Sequence, residues 1–443
     1  MEDGLGVMHM ALEKRRGRRM RSGEQAVVVG AGRSGIAATR LLCRAGVNVR
    51  LLDSNPKCLS GREDLAAELT ALGVDLQLGV HEPRQFDDAN YVVPSPGMPV
   101  ARLKSLVTSK STEILAEMEL AWRFLNAEPV LAITGTSGKT TTASLAAAML
   151  HAQGYAVFLG GNIGTPLSEY VLSGRKADVL VLEISSFQLQ ACSTFCPKAG
   201  ILLNITPNHL DYHKDMDEYT EAKFRLFRCQ DEDDWAVLGE SLLEEAQRHH
   251  IKAHKIFIKE QRRFTHSQLL GAHNRFNEEA AWQACRLFGV TEANAARAVE
   301  HFAPLPNRLE RVADRDGILF VNDSKCTTVS SLKVALEAFD RPIRLLCGGK
   351  FKGGDLAALS GLVREKVREV ALFGASREHF EKAWQNLVPI TWHATLEPAV
   401  RFVSANAQPG DVILMAPATS SFDLYRNYEE RGEDFRRIVG VLG

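Results

Sequence analysis

Residues 129–150 read PVLAITGTSGKTTTASLAAAML, and this stretch decides the fold of the segment around it. The apolar run VLAIT ends at a glycine-rich turn, and an alanine-rich run of helical character follows. Backbone N–H groups in such a turn, at the start of a helix, hold phosphate oxygens. Only two residues separate Gly135 from Gly138, where the general phosphate-binding loop has four. Strand, glycine turn, GKT and helix together still predict a nucleotide-phosphate loop rather than a packing turn.

The residues of this loop have different expected roles. Lys139 is expected to reach the outer phosphates of a nucleotide, and a threonine hydroxyl to bind Mg²⁺. The loop residues expected to serve ATP are Gly135, Thr136, Ser137, Gly138, Lys139, Thr140 and Thr141. Glu183 ends the later apolar run ADVLVLE, where a carboxylate at a strand tip suits the same Mg²⁺. The alternative for Glu183 is an exposed glutamate unrelated to the loop.

Outward from this loop, the chain shows three blocks in which apolar runs alternate with helix-length stretches. The first begins at Gln25 with AVVVGAGRSG, the second contains the phosphate loop, and the third begins after APLPNR at 303–308. Continuous apolar runs that alternate with helices are typical of parallel sheets covered on both faces. We therefore predict an α/β protein with a basic tail over residues 1–24. Three domains are expected to follow it, over residues 25–124, 125–304 and 305–443.

Composition excludes several classes of protein. The 443 residues include 53 Lys+Arg and 54 Asp+Glu, a formal net charge of −1, which argues against a dedicated nucleic-acid binder. The eight cysteines are scattered without a CxxC, which favours reduced thiols in a cytoplasmic protein. No apolar run reaches the length of about 18 residues that a membrane span needs. The basic run EKRRGRRMR lacks the apolar stretch of a signal peptide and is expected to be a disordered tail.

The first block contains a second glycine-rich turn. Gly30, Gly32 and Gly35 form GxGxxG between an apolar strand and a helix, and Asp53 ends the next apolar run. Glycines at these positions let the backbone approach a diphosphate at a helix N-terminus. The pattern fits a dinucleotide or another diphosphate-bearing ligand in a Rossmann-like domain. The alternative is a glycine turn that only packs the helix on the strand.

Two segments between the second and third blocks have more than one interpretation. NITPNHLDYH places His209, Asp211 and His213 close together, which fits a transition-metal site or, equally well, solvated and helix-capping roles. HNRFN places Asn274 and Asn277 three residues apart on one helical face. They are expected either to cap the helix or to hydrogen-bond a nucleotide.

The third block has three polar loops, each after an apolar strand. NDSK (322–325) follows ILFV, GGKFKGGD (348–355) follows RLLC, and PATSSFD (417–423) follows VILM. Ligands of parallel α/β sheets bind at the carboxyl ends of the strands. We therefore expect the three loops to form one shared site.

The motifs GTSGKTT, GGNIG, EISSFQL, NITPNHLDYH, HNRFN, PNRLE and NDSK occur in this order, and with them the sequence resembles the Mur ligase family of peptidoglycan synthesis. The resemblance runs from about Gln25 to the C-terminus. It implies a Rossmann-like N-terminal domain, a P-loop-type central ATPase domain with a mostly parallel sheet, and a Rossmann-like C-terminal domain. It also implies an ATP-dependent amide ligase that forms an acyl phosphate and then a tetrahedral intermediate.

Within the family, the compact length, SPGMP in the first domain and the ending PATSSFDLYRNYEERGEDF resemble the member that joins D-glutamate to UDP-N-acetylmuramoyl-L-alanine. The implied partners are this UDP-sugar, D-glutamate and ATP, with two Mg²⁺ ions as cofactors. A monomer is expected, with no nucleic-acid or membrane partner.

The resemblance also implies roles for individual residues. The catalytic residues would be Lys139, His209, Lys223 and Lys325. The ligands of Mg²⁺ would be Thr140, Glu183, His209 and Lys223, the last as a carbamate. Beyond the loop, ATP would contact Asn274, Arg308 and Asp323. The UDP-sugar would contact Gly32, Arg33, Ser34, Asp53, Ser95, Asn162 and His209. D-Glutamate would contact Lys325, Lys352, Ser421 and Tyr428.

The sequence departs from the family pattern at loop positions, namely Ser137, Asn307, Thr328 and Tyr428. The charged groups are retained. The alternatives are another Mur ligase or a folylpolyglutamate-type ligase, and, from a different class, an NAD-dependent oxidoreductase that uses the first glycine turn. The last leaves GKT and Glu183 unexplained.

Overall fold

The computed structural model describes residues 17–95, 97–210 and 212–442. Most of the predicted tail, residues 1–16, lies outside these ranges, as does Asp211 of the candidate metal segment. The rest of the predicted tail corrects the expectation, because it packs on the fold: Met20 is buried, and Arg19 Nε donates to the Arg123 carbonyl at 2.9 Å. In the part of the chain that the structure describes, no helix is long and apolar enough to cross a membrane.

The first sheet has five parallel strands in the order β3-β2-β1-β4-β5. The strands are β1 (Gln25–Val29), β2 (Asn48–Asp53), β3 (Asp75–Leu78), β4 (Tyr91–Pro94) and β5 (Glu113–Ile114). The helices of this region are α1 (Arg33–Arg44), α2 (Glu63–Ala71), α3 (Val100–Leu106) and α4 (Glu117–Trp122). Strand β1 is apolar and almost fully buried because helices cover both faces of the sheet.

The second sheet has six parallel strands in the order β11-β10-β9-β6-β8-β7. The strands are β6 (Val130–Thr134), β7 (Val157–Gly161), β8 (Val179–Glu183), β9 (Ala199–Leu202), β10 (Trp235–Gly239) and β11 (His254–Ile258). The helices of this region are α5 (Lys139–Ala152), α6 (Leu167–Ser173), α7 (Ser186–Gln190), α8 (Met216–Phe224), α9 (Leu243–Arg248), α10 (Ala272–Cys285) and α11 (Glu292–His301). The buried alanines of α5 allow this helix to lie close to the sheet.

The third sheet has six strands in the order β12-β13-β17-β14-β15-β16, and only the β12–β13 pair is antiparallel. The strands are β12 (Glu310–Arg315), β13 (Ile318–Asn322), β14 (Ile343–Gly348), β15 (Val367–Phe373), β16 (Ile390–His393) and β17 (Val412–Met415). The helices are α12 (Val329–Glu337), α13 (Ser360–Lys366), α14 (Arg377–Trp384), α15 (Leu396–Asn406) and α16 (Tyr428–Gly440). The predicted α/β class with mostly parallel sheets is confirmed.

The chain forms two compact units. One contains the first two sheets and residues 277–299, and the other contains residues 260–276 and the chain from residue 300 onward. One apolar core runs through the first and second sheets, whereas the third sheet has a separate core on each face. The boundaries predicted at residues 124 and 304 stay predictions.

Strand order places the functional loops. Strand β1 lies between β2 and β4, and β6 lies between β8 and β9, so the chain leaves each of these strands at a point where the strand order reverses. Ligands of open α/β sheets bind at such switch points, beyond the carboxyl ends of the strands. Both glycine-rich turns lie there.

Candidate active site

The predicted phosphate loop joins β6 to α5 and depends on two glycines with positive φ. Gly135 has φ +153° and Gly138 has φ +83°, conformations that side chains with a Cβ rarely adopt. A Cβ on Gly138 would lie 2.4 Å from Asn277 Oδ1, so this approach of α10 to the loop also requires glycine. Helix α5 begins at Lys139, directly after the turn, and the buried Thr141 lies in its first turn.

Two lysines donate hydrogen bonds to the same carbonyl group of this loop. Lys139 Nζ donates to Gly135 O at 2.9 Å and to Thr136 O at 3.0 Å. Lys223 Nζ, which comes from α8, donates to the same Gly135 O at 2.8 Å. Burial, and next the charge of Lys139, hold the pKa of Lys223 well below its usual value. The loop therefore has one cation at its helix start and a second, buried amine that favours the neutral form.

Glu183 lies at the end of β8, beside the loop, and is 2% exposed. Its Oε2 accepts a hydrogen bond from Thr140 Oγ1 at 2.7 Å, and its Oε1 accepts one from Asn162 Nδ2 at 2.7 Å. This contact excludes the alternative of an exposed, unrelated glutamate. A carboxylate and a hydroxyl that already touch are the oxygen donors that Mg²⁺ prefers, so Thr140 and Glu183 fit the implied metal.

The histidine-rich segment separates into two environments. His213 is buried, and its Nε2 lies 3.0 Å from Ser186 Oγ, a packing role rather than a site role. His209 has φ +56°, and its ring centroid lies 4.8 Å from that of Phe187 and 6.5 Å from that of Tyr219. Over residues 17–95, 97–210 and 212–442, no group of three or more His, Cys, Asp or Glu side chains is arranged to hold a metal ion.

Tyr219 and Asn204 are site residues that sequence reasoning missed. Tyr219 OH lies 3.0 Å from Thr136 Oγ1, and Lys223 Nζ lies 4.7 Å from the centroid of the Tyr219 ring. Asn204 Oδ1 accepts a hydrogen bond from the Ser137 N–H at 3.0 Å. The spacing of Tyr219 and Lys223, four residues apart on one helix, is a signal that places both side chains on one face.

The first glycine turn follows β1 and is tightly built. A Cβ on Gly35 would lie 1.9 Å from Gly30 O, and a Cβ on Gly30 would lie 2.7 Å from Ser95 Cβ. Asp53 Oδ2 accepts a hydrogen bond from the Ala31 N–H at 2.7 Å, so this carboxylate holds the turn itself. The residues of the turn that remain at the surface are Gly32 and Arg33, which are exposed, and Ser34, which is half-buried.

Arg33 connects the first glycine turn to the second sheet. Its Nη1 donates to the Gly164 carbonyl at 2.7 Å, and its Nη2 lies 3.2 Å from Glu169 Oε2. Gly164 ends the GGNIG segment that carries Asn162, the residue bonded to Glu183. The structure therefore brings the predicted UDP-sugar residues Arg33 and Asn162 onto neighbouring segments of one unit.

In the other unit, the loops after β13, β14 and β17 are neighbours because these three strands are adjacent in the third sheet. The last two loops bond to each other: the Lys350 N–H donates to Ser420 O at 2.9 Å, and the Ser420 N–H donates to Lys350 O at 3.1 Å. Ser421 is buried next to this bridge, and Lys352 is exposed. The structure thus brings together the three loops expected to share a site.

The predicted residues at the end of β13 are close to one another. Lys325 Nζ lies 3.8 Å above the Tyr428 ring centroid, a cation–π contact. Burial raises the pKa of Asp323 to about 7, while the Leu309 N–H and the charge of Arg308 act in the opposite direction. Burial also raises the pKa of Tyr428 to about 12.

Arg431 on α16 organises these loops and was missed by sequence reasoning. This fully buried guanidinium donates to Ser324 Oγ at 3.0 Å, Ser324 O at 2.9 Å and Thr419 O at 3.1 Å. Burial lowers its pKa to about 10. Asn307, one of the departures from the family pattern, is buried with φ +64°, and its Oδ1 accepts from Asn322 Nδ2 at 2.9 Å.

Asn274 and Asn277 belong to different compact units and have different contacts. Asn274 Nδ2 donates to Leu270 O at 2.7 Å, whereas a capping side chain accepts from backbone N–H groups. Asn277 faces Gly138 of the phosphate loop. The choice between helix capping and nucleotide binding stays a prediction for both residues.

Three family models match the chain: a Mur ligase MurD-like N-terminal domain over residues 24–114, a Mur ligase middle domain over 133–276, and a Mur ligase glutamate ligase domain over 307–419. The chain belongs to the Mur ligase family, as the sequence motifs predicted.

Among its relatives, a UDP-N-acetylmuramoylalanine--D-glutamate ligase of Desulfovibrio desulfuricans is 76% identical over 98% of this chain and 100% of the relative. A protein with the same name from Nitratidesulfovibrio vulgaris is 60% identical over the same shares.

Solved structures support the fold. The MurF ligase from Thermotoga maritima, in complex with ADP, superposes with a TM-score of 0.60 at 18% identity and covers 89% of this chain and 95% of its own. At this identity the likeness bears on the three-domain α/β fold alone.

Proposed function

We propose that the chain joins D-glutamate to UDP-N-acetylmuramoyl-L-alanine and converts ATP to ADP and phosphate, a step in making peptidoglycan precursors. The observation that carries the proposal is the cluster around the phosphate loop, where Lys139, Lys223, Thr140 and Glu183 meet. Phosphoryl transfer between anions needs positioned cations and donors more than covalent machinery. The names of the relatives at 76% and 60% identity support the choice of substrates.

The phosphate loop would hold ATP through its backbone N–H groups. Lys139 now donates to two carbonyls of the loop, and it would exchange these for phosphate oxygens when the nucleotide binds. Mg²⁺ supplies positive charge to the phosphate oxygens when it is bound. Thr140 and Glu183 would hold one ion, and His209 and a modified Lys223 would help to hold the second.

Lys223 would act as a carbamate. Its amine is buried against Gly135 O beside a second cation, a setting that disfavours a permanent ammonium group. A neutral amine adds to CO₂: a bond forms between Nζ and the carbon, and one proton is released to water. The product is an anion with two oxygens, which suits a metal ion, whereas an unmodified ammonium group would repel it.

The substrates would bind at the other two sets of loops. Gly32, Arg33, Ser34, Asp53 and Ser95 would hold the UDP end, and Asn162 and His209 the muramoyl end. Asp53 would act by fixing the turn, since its carboxylate bonds to the Ala31 N–H. In the other unit, Lys325, Lys352, Ser421 and Tyr428 would bind D-glutamate, and Asn274, Arg308 and Asp323 would contact ATP.

The chemistry then follows from charge. The substrate carboxylate attacks the outer phosphorus of ATP and forms an acyl phosphate, with ADP as the leaving group. The amine of D-glutamate attacks the acyl carbon, and the tetrahedral intermediate collapses to an amide and phosphate. Lys325 would stabilise the negative oxygen of this intermediate. Because the reaction uses ATP, we place the protein in the cytoplasm. That it is a monomer stays a prediction.

The test is phosphate release from ATP with Mg²⁺, UDP-N-acetylmuramoyl-L-alanine and either D- or L-glutamate. We expect release to depend on the UDP-sugar and on D-glutamate. Lys139→Ala should abolish it, and Lys176→Ala, at an exposed lysine outside the site, should not. Release that is equal with L-glutamate, or that needs another acceptor or a folate, would identify a different ligase of the superfamily.

A further inference from the structure

A cavity of about 360 Å³ lies in the first unit, away from the glycine turns. Its walls come from α3, from the segment after α7 and from α8. None of the residues that the sequence assigned to ATP, Mg²⁺, UDP-sugar or D-glutamate lines it. Its volume is in the range of sites that bind small molecules.

Helix α8 separates this cavity from the phosphate loop. Tyr219 and Lys223 lie on one face of the helix and contact the loop. Glu218 and Ala222, and Arg225 directly after the helix, follow the i, i+4, i+7 spacing of another face and line the cavity. The cavity therefore lies on a different face of the helix from the one that carries Lys223 and contacts the phosphate loop.

Three basic and two acidic side chains line the cavity, so basic groups outnumber acidic groups by one. Lys104 of α3, Arg225 and Arg228 line it. Of the two carboxylates, Glu218 accepts from Gln190 Nε2 at 2.9 Å and from the Lys214 N–H at 2.7 Å.

The other carboxylate, Glu221, also has a neighbour, because its Oε2 lies 3.3 Å from His249 Nδ1. Both carboxylates thus have partners in the protein, and so has Arg228, whose Nη2 donates to Cys192 O at 3.0 Å and to Ser193 O at 2.9 Å. An anionic ligand would meet a lining with one more basic than acidic side chain, and Lys104 and Arg225 are among the basic ones.

Arg225 has unused hydrogen-bonding capacity. Its Nη1 donates to Gln190 O at 2.6 Å. Its Nε is shielded from solvent and has no hydrogen-bond partner among the described residues. A shielded donor without an acceptor costs free energy, and a guanidinium group pairs best with an oxyanion that accepts two hydrogen bonds. Because Nε itself is closed to solvent, an anion in the cavity would pair with the other N–H groups of this guanidinium group.

We propose that this cavity binds a small organic anion, with a carboxylate or phosphate head between Lys104 and Arg225 and an apolar body. The apolar wall for the body consists of Val100, Ile114 and Ala191. Carboxylates and phosphate monoesters share the head-group chemistry, and arginine binds both in the same two-pronged way.

The test uses calorimetric titration of the full chain with benzoate and with phenyl phosphate, and with benzyl alcohol as the neutral analogue. Each titration is repeated in a Lys139→Ala background, which weakens anion binding at the phosphate loop. We expect one or both anions to bind in that background, and benzyl alcohol not to bind. Benzoate alone would identify the ligand as a carboxylate, and phenyl phosphate alone as a phosphate ester.

Variants then locate the binding. Lys104→Ala and Arg225→Gln should each weaken it about tenfold or more, the usual effect of losing a charge-assisted hydrogen bond. Lys104 is exposed, so its variant keeps the fold even if Arg225→Gln does not. Arg102→Ala, an exposed position on the same helix but outside the cavity, is the matched control and should change nothing.

Three results would overturn the proposal. Binding that disappears in the Lys139→Ala background would place the anion in the phosphate loop. Binding that is unchanged by both Lys104→Ala and Arg225→Gln would place it elsewhere on the surface. Benzyl alcohol that binds as well as the anions would make the cavity an apolar pocket without a charge preference.

Discussion

Gly138→Ala is a sharp test of the phosphate loop, because the chain offers a matched control. Gly138 has φ +83°, and a Cβ there would lie 2.4 Å from Asn277 Oδ1 and 3.1 Å from Leu203 Cδ1. Gly174 has φ +65°, but a Cβ there would meet nothing within 4 Å. Both glycines lie in the same compact unit. Both variants therefore place an alanine at positive φ, and only Gly138→Ala also brings the new methyl group against packed atoms.

The expected magnitudes follow from these two terms. An alanine in the left-handed region costs about 1–2 kcal/mol, and this applies to both variants. Forcing an extra methyl group against packed atoms costs about 1–3 kcal/mol more, and this applies to Gly138→Ala alone. The clash is with a side-chain oxygen on α10, so relief requires Asn277 to move away from the loop. We expect Gly138→Ala to be the less stable variant by about 1–3 kcal/mol.

The stability of both variants and the parent chain is measured by urea denaturation, and the midpoint and slope of the unfolding transition are compared. The affinity of each protein for ADP is measured as well. Gly138→Ala should unfold at lower urea and bind ADP more weakly, because the loop and α10 no longer fit. Gly174→Ala should bind ADP as the parent does. Equal loss of stability in the two variants, or parental ADP affinity in Gly138→Ala, would refute the reasoning about the loop.

Three further predictions concern Lys223, Asp323 and the buried Arg431. Lys223→Ala should lose most ligase activity in the phosphate-release assay, and short carboxylates such as formate should partly restore it. Full activity of this variant without an added carboxylate would refute the carbamate. Burial raises the pKa of Asp323 to about 7, so the folded chain keeps a proton that the unfolded chain has lost above about pH 4. The contribution of Asp323 to the free energy of unfolding therefore falls as pH rises from about 4 to 7. The urea midpoint of Asp323→Asn should not show this fall with pH. Parallel pH profiles of the urea midpoint in the variant and the parent chain would contradict the prediction. Arg431→Ala should lower the free energy of unfolding by about 3 kcal/mol or more, because it leaves three buried acceptors without a donor. Arg437→Ala, on the exposed side of α16, is the control and should change the urea midpoint little. Similar urea midpoints for the two variants would contradict the role of Arg431.

The sequence predicted best what local chemistry determines. The phosphate loop follows from a strand, two glycines and a lysine within a dozen residues, and the structure has each of them as expected. The three polar loops of the third sheet were expected to lie together because parallel strands end at one edge, and β13, β17 and β14 are adjacent. That the loops form one site stays a prediction. The fold class was predicted from apolar runs that alternate with helix-length stretches, and the family from the resemblance of the ordered motifs.

What the sequence did not predict depends on contacts between distant segments. Arg431 lies 107 residues from Ser324, and a charged residue on a helix normally indicates a solvated face. The hydrogen bond from the Ala31 N–H to the Asp53 carboxylate was not predicted, and the role of Asp53 toward the UDP-sugar stays a prediction. Met20 was placed in a disordered tail although it is buried in the core. Pattern and spacing carry no information about such long-range partners.

The central claim is that the chain activates a carboxylate by phosphorylation before the amide bond forms. The most direct measurement uses UDP-N-acetylmuramoyl-L-alanine with ¹⁸O in its terminal carboxylate, together with ATP, Mg²⁺ and D-glutamate. We expect the released phosphate to carry an oxygen from that carboxylate, because the bridging oxygen of the acyl phosphate leaves with the phosphate when the amine displaces it. Phosphate without the label, released together with the amide product, would contradict the account.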